Sequence, residues 1–229
     1  PILRASRGLA MYLLYTNEYK RNSAHSRELL ARSIRKLIES DSSIDIAPEL
    51  AALTGEELRR YIADNIEFNK NGKPHIAGIP DYSISHSENT WAIIFSDAPC
   101  GLDIQYNKKA KLEKIAVKLY QEDEQESVNK LGIDEFFRIW SRREALIKAV
   151  GSSVFYDVPS TMGDSAIYEG AMWRIYDISL GTEISSADNA GATSSDGSCK
   201  RERRLYAAAA VRDDSAFGGT KELQVSRLD

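Results

Sequence analysis

The sequence predicts an α+β protein made of two successive units, 1–105 and 106–229, and three observations carry that prediction. Helical periodicity gives way to strand-type alternation near residue 80, returns over 107–150, and yields to strands again beyond 170. Gly-, Pro- and Asn-rich breaks separate these stretches. The 229-residue length is enough to bury a sizeable core as one large domain or two small halves.

The elements follow in order. Over 24–39 the apolar residues Leu29, Leu30, Ile34, Leu37 and Ile38 recur at helical spacing. A second helix is expected from Thr54, because Thr54 and Glu57 have capping-box spacing, and it should end before Asn69. The Asn-Lys-Asn-Gly-Lys-Pro stretch at 69–74 is turn chemistry, with Gly72 free to take positive φ and Pro74 blocking helix. Residues 82–86, 91–96 and 101–106 read as three short strands. The charged segment 107–133 reads as helical, and 134–150 is the clearest helix, with Gly151 as its stop signal. Residues 172–180 and 204–211 read as two more strands, joined by a polar loop over 181–198.

Four sites carry chemistry. In the strand Gly101–Gln105, alternation puts Asp103 and Gln105 on one face, where both could contact one hard cation; a solvated polar face gives the same pattern. On the helix 136–151, Phe137, Trp140, Glu144 and Lys148 fall in one stripe, so the Glu144 carboxylate faces an interior or a cleft and needs a cation; a Glu144–Lys148 pair four residues apart could supply it. The stretch 83–87 (Ser-Ile-Ser-His-Ser) offers hydroxyl and imidazole donors suited to phosphate, or a serine-capped turn. Ser85 and His86 lie on opposite strand faces, which is not the geometry of a nucleophile and its base. Lys73 sits on a rigid turn.

In this order and spacing, "GKPHI" at 72–76, "YSISHS" at 82–87, "GLDIQ" at 101–105 and "FFRIWSRREALIKAVG" at 136–151 resemble the Sfp-type 4′-phosphopantetheinyl transferases. The likeness covers roughly 24–160. It implies a monomeric pseudo-two-fold pair of α/β subdomains, each a small mostly antiparallel sheet packed with helices, with coenzyme A in the cleft between them. It implies transfer of phosphopantetheine to a serine of an acyl or peptidyl carrier protein, of the holo-acyl-carrier-protein synthase type, dependent on Mg²⁺. Asp103, Gln105 and Glu144 would be the metal set; Asp103, Glu144 and Lys148 would be catalytic; Lys73, Ser85, His86, Arg143 and Lys148 would bind the coenzyme. The family strand usually carries Asp-x-Glu where this sequence has Gln105, and Lys where it has Arg143. A Mg²⁺-dependent phosphodiester or pyrophosphate hydrolase, or a non-catalytic coenzyme A-binding module, would use the same residues.

Composition is that of a globular chain, 42% hydrophobic and 28% charged, and a net charge of −4 gives no reason to expect nucleic acid. Residues 1–36 hold eight Lys or Arg against Glu18 and Glu28, a basic surface suited to a phosphate-rich ligand or an acidic partner, or a solvated helix face. Two distant cysteines have no metal-ligand spacing, and no apolar run approaches a membrane span. The N-terminal apolar run lacks a small-residue cleavage site, so no signal peptide is expected and the expected location is cytoplasmic.

Overall fold

The computed structural model describes residues 10–40, 44, 46–108, 112–152, 157–180, 203–213 and 222–228. The loop expected at 181–198 lies outside these residues. The first unit begins with β1 (Ala10–Thr16), followed by α1 (Ser23–Glu39), α2 (Pro48–Ala51) and α3 (Gly55–Asn65). A small pair, β2 (Glu67–Phe68) and β3 (Pro74–His75), precedes the hairpin β4 (Asp81–Ser87) and β5 (Thr90–Ser96). The second unit repeats that plan. It runs β6 (Cys100–Tyr106), α4 (Leu112–Leu119), α5 (Glu122–Leu131), α6 (Ile133–Val150), then β7 (Ser165–Tyr168), β8 (Ala171–Asp177) and β9 (Leu205–Arg212). The chain ends in β10 (Glu222–Arg227).

The two-fold relation is visible in the strand order. One sheet runs β10-β1-β5-β4 and the other β6-β9-β8-β7. In each, the strand before the helices pairs with the last strand of the hairpin that follows them. All pairings within the two sheets are antiparallel except β1 with β10, which is parallel. β5 belongs to the first sheet and β6 to the second, so the chain changes sheet at 97–99. β10 then carries the chain back to the first sheet. Strands β1, β7 and β10 have no counterpart in the sequence reading, and β8 stops at Asp177 instead of 180.

Local chemistry accounts for the helix ends. Thr54 caps α3 in a full capping box with Glu57, and Asn22 caps α1 by accepting from the His25 amide. α6 ends on Gly151 in the left-handed region, φ 70°, where a Cβ would be strained.

Alternation sorts the strands into layers. Tyr12, Leu14, Tyr82, Trp91, Ile93 and Phe95 bury against α1 and α3. The opposite face of the same sheet, with Met11, Leu13, Ala92 and Ile94, packs on Leu102, Ile104, Ala207, Ala209 and Val211 of the second sheet. That second sheet buries its other face, including Ala208, Ala210, Trp173 and Ile175, beneath α6. Helices therefore cover the outside of two face-packed sheets. α6 comes so close to β6 that a Cβ on Gly101 would stand 2.9 Å from Ala149 Cα, so only glycine fits there.

Candidate active site

The register of β6 and the rotation of α6 bring one polar cluster together. Leu102 and Ile104 point into the core shared by the two sheets, so Asp103 points the other way, toward α6. α6 is buried on nearly all sides; along its second half the partly exposed positions include Trp140, Glu144 and Lys148, spaced four apart. The stripe expected from the sequence is thus the partly exposed line of an otherwise enclosed helix, although Phe137, placed on it, is buried.

Within the cluster, Lys148 Nζ lies 2.8 Å from Asp103 Oδ1 and also donates to Ser85 Oγ and to the Leu102 carbonyl, each at 3.1 Å. Ser85 in turn donates to Asp103 Oδ1 at 3.1 Å. Asp103 is only 7% exposed, and its Oδ2 is buried with no hydrogen-bond partner. An unmatched carboxylate oxygen in such a place is costly and invites a cation.

Lys148 pairs with Asp103 and not with Glu144, so the four-residue pair considered from the sequence is not what holds Glu144. Burial, then the neighbouring Asp103 charge, push the Glu144 carboxyl up to about 7, with Lys148 and Lys108 pulling the other way. Gln105 stands two residues beyond Asp103, its amide nitrogen donating to the Tyr106 carbonyl at 2.7 Å and more distantly to Ser87 Oγ. Among the described residues, no three His, Cys, Asp or Glu side chains gather as a metal set. Two carboxylates and one amide are what the cluster offers, and they fit a hard, oxygen-seeking divalent cation with open positions left for a ligand.

His86 is exposed on the other face of β4, where its ring lies 5.0 Å from that of Tyr19. Desolvation, then the Lys148 charge, lower its pKa, so it stays neutral at physiological pH.

Two residues expected to contact the coenzyme, Arg143 and Lys73, are engaged within the protein. Arg143, 1% exposed, lies one residue and therefore about 100° round the helix from Glu144. It points into a 2.6 Å ion pair with the fully buried Glu124 and stacks over Tyr120. Glu124 also accepts from the Gln121 and Thr161 amides and the Thr161 hydroxyl, so this is an internal brace. Lys73 is likewise engaged: its ammonium lies 2.5 Å from Asp81 Oδ2 and 2.9 Å from the Cys100 carbonyl, at the opposite end of β4 from His86.

Sequence reasoning missed Glu124, the partner of Arg143, and Asp81, the partner of Lys73. Asp81 was legible in principle. It opens an alternating Asp-x-Ser-x-Ser-x-Ser pattern on the β4 face turned toward the second sheet, where the other strands carry apolar residues.

Residues 99–167, which hold β6 and α6, match the 4′-phosphopantetheinyl transferase superfamily. The chain is 29% identical over 131 residues to a 4′-phosphopantetheinyl transferase, gsp, of Aneurinibacillus migulanus, covering 51% of this chain and 55% of that protein. It is 32% identical over 124 residues to a 4′-phosphopantetheinyl transferase of Bacillus pumilus, covering 47% and 53%. It is 34% identical over 106 residues to the 4′-phosphopantetheinyl transferase Sfp of Bacillus subtilis, covering 42% and 47%. The chain thus spans about half the length of the curated relatives it matches. Over about half its length, then, the chain is similar in sequence to the Sfp-type 4′-phosphopantetheinyl transferases.

Proposed function

We propose that this protein transfers the 4′-phosphopantetheine arm of coenzyme A to a serine of an apo carrier protein, releasing 3′,5′-ADP. The observation that carries the reading is Asp103, whose buried and unmatched Oδ2 belongs to a carboxylate whose charge acts on the desolvated Glu144. These two carboxylates, with the Gln105 amide oxygen, would hold Mg²⁺, which when bound supplies positive charge to the pyrophosphate oxygens of coenzyme A.

In the transfer, the carrier serine oxygen forms a bond to the phosphorus that bears pantetheine. The bond from that phosphorus to the bridging oxygen of the pyrophosphate breaks, and its electrons leave with 3′,5′-ADP. Glu144, near 7, is the group suited to take the serine proton. Lys148 offsets charge growing on the leaving phosphate, and neutral His86 donates a hydrogen bond to a coenzyme phosphate. The nucleophile comes from the partner, so the chain needs no activated Ser or Cys of its own. The relatives' names say 4′-phosphopantetheinyl transferase only; the holo-acyl-carrier-protein synthase assignment is narrower and rests on the choice of carrier.

The test incubates the protein with an apo carrier, coenzyme A and Mg²⁺ and weighs the carrier by mass spectrometry. A gain of one phosphopantetheine, lost in Glu144→Gln, is expected. Coenzyme consumed with the carrier unchanged would instead identify a hydrolase, and transfer by Glu144→Gln at the parent rate would remove Glu144 from the mechanism.

A further inference from the structure

β4 and β6 are edge strands of different sheets, and no backbone pairing joins them. An edge strand presents unpaired N–H groups, which must find partners when buried. On β6 those outward groups are the amides of Cys100, Leu102, Ile104 and Tyr106. Each is taken by a β4 side chain. The Cys100 amide donates to Asp81 Oδ2 at 2.7 Å, Leu102 to Ser83 Oγ at 3.0 Å, Ile104 to Ser85 Oγ at 3.1 Å and Tyr106 to Ser87 Oγ at 3.0 Å. The offset is 19 residues at every rung, so the two strands run alongside in one fixed register. Two outward carbonyls, of Cys100 and Leu102, take the ammonium groups of Lys73 and Lys148.

We infer that this side-chain ladder takes the place of a backbone ladder in locking the two halves in register, and that Ser85 is a positioning residue of the candidate active site. Ser85 differs from the other rungs. Its oxygen accepts from Ile104 and Lys148 while its proton goes to Asp103 Oδ1. These three bonds use the hydroxyl fully, leaving nothing for a phosphate. They also tie Asp103 Oδ1 to the first sheet, so that Oδ2 is left buried without a hydrogen-bond partner. Ser85 therefore acts through Asp103 and Lys148 and not on the coenzyme. The second part of the inference rests on the proposed function; the ladder itself does not.

The experiment compares Ser83→Ala, Ser85→Ala and Ser85→Thr in the full chain. Amide exchange followed by NMR should quicken about tenfold at Ile104 in Ser85→Ala and at Leu102 in Ser83→Ala, with the other rungs nearly unchanged. The Lys148 ammonium signal should weaken in Ser85→Ala alone. With coenzyme A present, Mn²⁺ affinity read by EPR should fall about tenfold in Ser85→Ala, hold within twofold in Ser83→Ala, and recover in Ser85→Thr. Unchanged exchange at Ile104 in Ser85→Ala overturns the ladder. Equal changes of the Lys148 signal and of Mn²⁺ affinity in Ser83→Ala and Ser85→Ala overturn the positioning role. A parent chain that binds neither Mn²⁺ nor coenzyme A refutes the proposed function, while exchange and the Lys148 signal still decide the ladder and the hold on Lys148.

Discussion

Lys148 Nζ stands 2.8 Å from Asp103 Oδ1, tying α6 to the first strand of the second sheet. The pair leaves Asp103 Oδ2 without a partner and the neighbouring Glu144 desolvated, with less positive charge than two acids require. Lys148→Ala should therefore lower stability by roughly 1–3 kcal/mol and raise affinity for a small divalent cation at most slightly, because the freed oxygen loses its orientation. Urea denaturation and Mn²⁺ titration by EPR check both outcomes.

Glu144 gives a pH dependence whose sign is opposite to that of most carboxylates. Its folded-state pKa, about 7, lies above the ordinary value of 4.5, so the folded chain holds more protons than the unfolded one between those limits. Its contribution to stability is highest below about pH 4.5 and is lost as pH rises through 7. Glu144→Gln should stabilise the metal-free protein at pH 8 by on the order of 1–2 kcal/mol, discounted for partial exposure. At pH 4 it should change little. Transfer should instead rise with pH as Glu144 ionises, with Mg²⁺ drawing the midpoint lower. Thermal unfolding at both pH values and a rate profile across 5.5–8.5 test the two signs together.

Gln105→Glu adds a third carboxylate beside Asp103. It should tighten Mn²⁺ binding about tenfold, an energy reasonable for one added charge at short range in a partly solvated site. It should also lower metal-free stability. Unchanged affinity in an EPR titration would mean that residue 105 does not face the cation.

The Arg143–Glu124 brace predicts a loss of stability without loss of coenzyme affinity. Glu124→Ala leaves a buried guanidinium without its carboxylate and should cost about 3–5 kcal/mol. The double change Glu124→Leu with Arg143→Met should cost less than Glu124→Ala. Coenzyme A binding by calorimetry should be the same in the double variant and the parent, because the two side chains are buried and engaged with each other.

Gly101→Ala tests the contact that places α6. The added Cβ would meet the Ala145 carbonyl and the Ala149 backbone, which are fixed helix atoms. We expect a loss of at least about 3 kcal/mol in urea denaturation, and weaker Mn²⁺ binding in whatever fraction stays folded, since moving α6 separates Glu144 from Asp103.

The sequence by itself determined the elements whose signals are local. The Thr54–Glu57 box, the Gly151 stop, the alternation that sends Asp103 opposite to Leu102, and the i, i+4 line of Trp140, Glu144 and Lys148 all follow from backbone geometry within a few residues. Tertiary structure decided what those side chains meet. Arg143 sits beside Glu144 in sequence, yet one step round the helix carries it to Glu124, and only packing of α5 on α6 reveals a carboxylate there. Lys148 had Glu144 four residues away on paper, and the approach of β6 gave it Asp103 instead. β10 joined the first sheet because a strand's partner is set by which edge is open, a fact no window of sequence contains. The serines of β4 were visible as an alternating row, but their partners are backbone amides of another strand, and backbone leaves no mark in a sequence.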